Sequence, residues 1–173
     1  LKVIIDRITT NQIKELMTIS RETFTDTFGS ANDPQNLTQY LDSAYSALQL
    51  RSELNNADST FWSITVDGVW AGYLKLNIGQ AQSENFGDAA LEIERIYVRR
   101  RFKRQGLGTK LYQLALNQAE QLGKTRIILG VWEHNEPAQK FYQRLGFHQI
   151  GAHTFQLGTD AQTDYIMEKK LTN

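Results

Sequence analysis

The spacing of hydrophobic and polar positions changes along the chain, and each change marks an element. Lys2 to Ile8 reads as a first strand, with Thr9 or Thr10 placed to cap a helix that carries Ile13, Leu16, Met17 and Ser20 on one face. This helix is expected to reach Phe28 and stop at Gly29. Asp33-Pro34 restarts a helical pattern through Leu37, Leu41, Ala44, Leu48 and Leu54, with a break near Ser46. Phe61 to Val66 and Val69 to Ile78 are strand-like and meet at Asp67-Gly68, a strong hairpin signal. After a polar loop over Gln80 to Asp88, the stretch from Leu91 to Val98 alternates with period two. That alternation would put Leu91, Ile93 and Tyr97 on one side and Glu92, Glu94, Ile96 and Val98 on the other.

Downstream, Leu107, Leu111, Leu114, Ala115 and Leu122 have the spacing of an amphipathic helix ended by Gly123-Lys124. Arg126 to Trp132 reads as a buried strand. A shorter helix follows, with Asn135 suited to its cap, Pro137 to its first turn and Gly146 to its stop. His148 to Gln156 and Thr163 to Lys170 are two last strands around a Gly158-Thr159-Asp160 turn. The pattern contains no repeat and no interdomain linker, so one mixed α/β domain over residues 1–173 is expected.

Composition narrows the chemistry. At 173 residues the chain can bury one substantial core. With 19 basic and 19 acidic residues it carries no net charge, which argues against whole-surface attraction to nucleic acid. It has no cysteine, so disulfides, thiolate metal ligands and a cysteine nucleophile are excluded. His134, His148 and His153 lack metal-ligand spacing, and no metal is expected. No apolar run has membrane-spanning length and no signal-peptide pattern opens the sequence, so a cytoplasmic location is expected.

Charge is concentrated locally in Arg99-Arg100-Arg101-Phe102-Lys103-Arg104, which leads into Gln105-Gly106-Leu107-Gly108. A strand, a basic glycine turn and a helix start together make an anion cradle. Glycine lets backbone approach closely, and a helix N-terminus offers unpaired N–H groups and a favourable dipole. The turn fits neither GxGxxG nor GxxxxGK[ST], which removes dinucleotides and P-loop nucleotides as its ligands.

The run Lys103-Arg104-Gln105-Gly106-Leu107-Gly108 resembles the pyrophosphate-binding Q/R-x-x-G-x-G/A segment of the GNAT family of N-acetyltransferases, with Lys at the first position. Asn135 to Phe147 resembles that family's N-x-x-A-x-x-F-Y-x-x-x-G-F signature. The resemblance implies the GNAT fold: a twisted mixed sheet of about seven strands flanked by about four helices, whose splayed central strands hold acyl-CoA. It also implies acetyl-CoA as cosubstrate. Ile96, Tyr97 and Val98 would pair with its pantetheine arm, Arg104 to Thr109 would hold the pyrophosphate by their amides, and Asn135 would bond the arm. Tyr142 would approach the thioester sulfur and protonate or hydrogen-bond the departing thiolate. Glu92 and Glu94 would accept the ammonium proton, since only a neutral amine can attack. Tyr142 also fits plain core packing with Ala138, Phe141 and Leu145, and Asn135 fits a plain cap.

Further segments resemble the bacterial PaiA-type polyamine N-acetyltransferases. They include Glu22 to Phe28, Ala81-Gln82-Ser83-Glu84, Leu91 to Tyr97, Leu129 to Glu133 and Gly151-Ala152-His153. That implies spermidine or spermine as the acceptor, attacked directly in a ternary complex. Glu22, Asp26, Glu84, Glu92, Glu94 and Asp164 are the carboxylates available to receive such a cation. The rivals are another small amine, a peptide N-terminus, or a CoA-binding regulator with little catalysis. No nucleic acid or membrane partner is expected, and a homodimer stays open.

Overall fold

The structure, a computed structural model, describes residues 1–172. Seven strands form one sheet: β1 Val3–Arg7, β2 Ser59–Val66, β3 Val69–Asn77, β4 Ala90–Val98, β5 Arg126–Trp132, β6 His148–Leu157 and β7 Asp160–Lys170. Their order is β1-β2-β3-β4-β5-β7-β6. All neighbours are antiparallel except β4 and β5, which run parallel and are connected by a helical crossover. Five α-helices flank the sheet: α1 Ile13–Phe28, α2 Pro34–Ala44, α3 Ala47–Leu54, α4 Leu107–Gln121 and α5 Glu136–Arg144.

Two apolar cores lie on the two faces of the sheet. One packs α4 and α5 through Leu107, Leu111, Ala115 and Tyr142 against Leu74, Leu91, Ile93 and Ile127. The other packs α1 through Leu16, Ile19, Phe24 and Phe28, with Leu41 of α2 and Leu50 of α3, against Phe61, Tyr73 and Trp132. The helix starts follow local chemistry. Asp33 caps α2 by accepting from Gln35 N at 3.1 Å, ahead of Pro34. Ser46 caps α3 by accepting from Gln49 N at 3.1 Å. The expected break near Ser46 is therefore a new helix start, and it gives five helices where about four were expected. Among the described residues no helix is long and apolar enough to cross a membrane.

One expectation from the alternation is overturned. Between β3 and β4, Lys75 pairs with Arg95 while Leu76 pairs with Ile93, so β4 holds one extra residue, Glu94, at a β-bulge. A single extra residue reverses which side each later residue faces. Leu91 and Ile93 enter the core under α4, and beyond the bulge Ile96 and Val98 join that same core. Tyr97 packs in the opposite core. The sequence had paired Tyr97 with Leu91, and Ile96 with Glu92.

Candidate active site

The sheet opens where β4 and β5 part. Their parallel register runs from Ala90 opposite Arg126 to Ile93 opposite Leu129 and ends there. Beyond that point β4 stays bonded to β3 as far as Val98 opposite Gly72, while β5 stays bonded to β7 as far as Trp132 opposite Asp164. The facing edges diverge around a cleft of about 1230 Å³. Ile96, Tyr97 and Val98 line one wall and Gly130 to Trp132 another, while α4 meets it by its first turn and α5 along its length. An extended chain laid between the edges would meet main-chain groups that no strand uses.

The basic end is built from backbone. Arg104 and Gly106 have left-handed φ values of 64° and 76°, and Gly106 starts α4 with no side-chain cap. Glycine adopts that conformation without a Cβ penalty, whereas Arg104 adopts it at some cost. Among the described residues, the N–H groups from Arg104 to Thr109 donate to no carbonyl or side chain. Such a row of free donors at a helix start suits a diphosphate. Lys103, Arg104, Gly106, Leu107, Gly108 and Thr109 line the cleft; Gln105 is exposed and outside its lining. Arg99 and Arg100 are turned elsewhere: Arg99 Nε is 2.8 Å from Glu22 and Arg100 is 3.4 Å from Asp26, both on α1. Those contacts give Glu22 and Asp26 structural partners.

Tyr142 lies in α5, its ring edge-on to Phe141 at 5.4 Å and to Phe147 at 5.9 Å. It is at once a core residue and a lining residue. Burial pushes its phenol well above the usual tyrosine value, so it stays protonated and acts as a donor. Among the described residues nothing accepts from its hydroxyl. Asn135 caps α5 by accepting from Ala138 N at 3.3 Å, which engages its oxygen and leaves its amide N–H groups uncommitted.

On the other face of β4, Glu94 is locked in charge. Its carboxylate meets Lys75 Nζ at 2.8 Å and Arg95 at 3.0 Å, and both cations also reach Glu53 at 2.9 Å. Burial alone would raise the pKa values of Glu53 and Glu94, but Arg95 and Lys75 outweigh it and hold both below the usual carboxylate range. Arg95 is a largely buried partner of Glu94, and its guanidinium lies 5.2 Å from the Tyr45 ring. Glu92 differs. It is 4% exposed, and its Oε1 accepts from Asn77 Nδ2 at 2.9 Å and from Ser83 N at 2.8 Å. Among the described residues no cation pairs with it.

A further cluster escaped the sequence reading. His153 of β6 lies between two carboxylates, with Nδ1 2.9 Å from Glu84 and Nε2 3.4 Å from Asp164. His153 and Asp164 are cross-strand partners above Gly130, and Glu84 belongs to the loop that brings Ser83 to Glu92. Asp164 Oδ1 is buried without a partner. Phe24, Phe28, Tyr40, Trp132 and Phe155 complete this end as a packed aromatic wall. Among the described residues no cluster of groups suits a metal ion.

Burial of the His153 imidazole would lower its pKa, but Glu84 and Asp164 outweigh it and hold it above the ordinary histidine value. Its bridge therefore stabilises the fold fully below that ordinary value and loses the contribution as pH rises through the raised one. Glu84→Gln is expected to bring the His153 titration midpoint down, followed as the imidazole NMR shift against pH. An unmoved midpoint would leave Glu84 without influence on the ring.

Comparison with known proteins agrees with this geometry. A profile of the acetyltransferase (GNAT) family matches residues 13–147. The chain is 41% identical over 165 residues to an uncharacterized N-acetyltransferase in the pepI 3′ region of Lactobacillus delbrueckii subsp. lactis, covering 95% of each. It is 27% identical over 157 residues to an uncharacterized N-acetyltransferase of Mycobacterium tuberculosis, covering 91% of this chain and 96% of the relative. Among solved structures, the PaiA N-acetyltransferase from Thermoplasma acidophilum in complex with coenzyme A superposes with a TM-score of 0.82 at 22% identity, over 98% of this chain and 99% of that one.

Proposed function

The chain belongs to the acetyltransferase (GNAT) family and is an acetyl-CoA-dependent N-acetyltransferase, and we propose that its acceptor is a polyamine such as spermidine or spermine. The observation that carries the donor end of this reading is the row of unpartnered amides from Arg104 to Thr109, opening onto the same cleft as the Tyr142 hydroxyl. The thioester, when bound, supplies the activated acetyl group. The free edge of β4 at Ile96, Tyr97 and Val98 receives the pantetheine arm as an added strand, with Val98 N–H placed for the thioester carbonyl oxygen. The amide of Asn135 bonds the arm.

The acceptor nitrogen enters from the acidic, aromatic end. Glu92 accepts its proton, being the one cleft carboxylate of β4 that faces only neutral donors. Glu94 keeps the charge of Lys75 and Arg95 balanced. The neutral amine then attacks the carbonyl carbon, the C–N bond forms, the C–S bond breaks and Tyr142 donates a hydrogen bond to the departing sulfur. Full proton loss from Tyr142 is uphill, since a thiol ordinarily titrates near 8.5 and this phenol is pushed far higher. The polyamine reading is supported by the PaiA-type segments and by Glu84 and Asp164. These two share the single imidazole of His153, so negative charge is left over for a second ammonium group beyond the one that reacts.

Thiol release from acetyl-CoA with spermidine, spermine, diamines, unrelated monoamines and short peptides tests the proposal. Rapid release with polyamines alone supports it. Release with a monoamine or peptide keeps the chemistry and rejects the acceptor. Binding of acetyl-CoA without release in any mixture would make the protein a CoA-binding regulator. Within the mechanism, Glu92→Gln is expected to lower kcat by about 10²-fold and to remove the acidic limb of its pH profile. Glu94→Gln is expected to keep that limb.

A further inference from the structure

The row Ser59, Asn77 and Glu92 crosses three neighbouring strands at matched positions: Ser59 is the cross-strand partner of Asn77, and Asn77 of Glu92. All three side chains are buried, Asn77 with no exposed surface at all. Hydrogen bonds run along the row in one direction. Ser59 Oγ donates to Asn77 Oδ1 at 2.9 Å, and Asn77 Nδ2 donates to Glu92 Oε1 at 2.9 Å and Glu94 Oε1 at 2.7 Å. The opposite amide orientation would set Oδ1 against two carboxylate oxygens, so the network fixes which end is which.

We propose that Asn77 is a positioning residue for acetyl transfer, acting through Glu92. The inference rests on Glu92 as the proton acceptor and adds how that carboxylate is kept ready. Glu53, Glu92 and Glu94 share their surroundings with two cations, Lys75 and Arg95, and both cations are spent on Glu53 and Glu94. A buried carboxylate with no cation needs neutral donors to stay ionised. Asn77 and the Ser83 N–H provide them, both at Oε1, and leave Oε2 for the cleft. A cation at position 77 would stabilise the anion so strongly that it became a poor base. An apolar side chain would let it protonate. The amide lies between these limits, and its two N–H groups separate Glu92 from Glu94 so that the pair does not share a proton.

The test is the kcat pH profile of four proteins: wild type, Asn77→Leu, Ser59→Ala and Glu92→Gln. Asn77→Leu keeps the branched shape and the number of heavy atoms, adds some bulk, and removes both donors. It is expected to lower kcat about tenfold and move the acidic limb upward by about one pH unit, with the KM for acetyl-CoA within about twofold. Ser59→Ala removes only the bond that orients the amide and is expected to move the same limb in the same direction by less. An Asn77→Leu limb at the wild-type position, with Glu92→Gln lacking the limb, would overturn the role of Asn77 and leave Glu92 as the base. A normal limb in Glu92→Gln would overturn both. Should Asn77→Leu fail to fold, the limb of Ser59→Ala decides: a shift sustains the proposal and an unmoved limb ends it.

Discussion

Tyr142→Phe is expected to lower kcat by about 10²–10³-fold, the range set by losing one positioned donor at a reacting atom. The KM for acetyl-CoA should stay within about twofold. The split follows from the two roles the side chain combines. Its ring packs between Phe141 and Phe147, and phenylalanine preserves that contact along with the shape of α5. Among the described residues its hydroxyl bonds to no other group, so removing it leaves nothing buried unsatisfied and stability should barely change. The loss then falls on the transition state, where the C–S bond is breaking and charge gathers on sulfur. Initial rates at varied acetyl-CoA, with calorimetric titration of CoA, would separate the effects. Undiminished turnover in the phenylalanine variant would reduce Tyr142 to a core aromatic.

Lys75→Ala should produce the largest loss of stability, about 3–5 kcal/mol, as expected when one partner of a buried ionic network is removed. For a chain of this size that corresponds to a fall in Tm of roughly 10 °C. Lys75 is 5% exposed and holds Glu53 and Glu94 together across β3, with its ammonium 5.4 Å from the Phe61 ring. Its removal leaves two carboxylates, Glu53 and Glu94, to Arg95 alone. The pH dependence has a definite sign. Glu53 and Glu94 have lowered pKa values, so their contribution is present above the ordinary carboxylate range and is lost as pH falls through the lowered values. The variant should therefore differ most from wild type at neutral pH and approach it in acid. Urea unfolding at several pH values measures this. A constant small difference would mean that the network contributes little net energy.

The donor end of the cleft was legible because its chemistry is local in sequence. A glycine turn feeding a helix, and a capped helix carrying Phe141-Tyr142, can each be read without knowing the fold. The charged end depends on register. Lys75 and Asn77 are two alternate polar residues in an otherwise apolar strand, a sign of a buried network, but their partners emerge only when β4 is laid alongside with its bulge. The stretch Leu91 to Val98 carries the sign of its extra residue, since Glu94 and Arg95 are two polar residues in succession and the inward apolar positions change parity after them. His153 and Asp164 could have been found by counting outward from a tight turn: Leu157 faces Asp160, and four steps further His153 faces Asp164. Starting the last strand at Thr163 hid this pairing, since Asp160 to Gln162 are polar or small and look like loop. The helix pair α2 and α3 was legible as one interrupted pattern, and Ser46 marked the interruption.

The bulge in β4 makes the strand two messages written in opposite phase. Upstream of Glu94 the odd-numbered residues belong to the core under α4; downstream the even-numbered ones do. Flattening the bulge with every residue kept would restore an unbroken rhythm and turn the distal half inside out. Arg95 and Tyr97 would then be driven toward aliphatic neighbours, and Ile96 and Val98 toward the tyrosines. Both halves of β4 place their apolar residues in the right core only because the strand kinks at Glu94. A relative with a gap at Glu94 would therefore keep every facing of β4 and lose only the bulge and the carboxylate that balances Lys75 and Arg95.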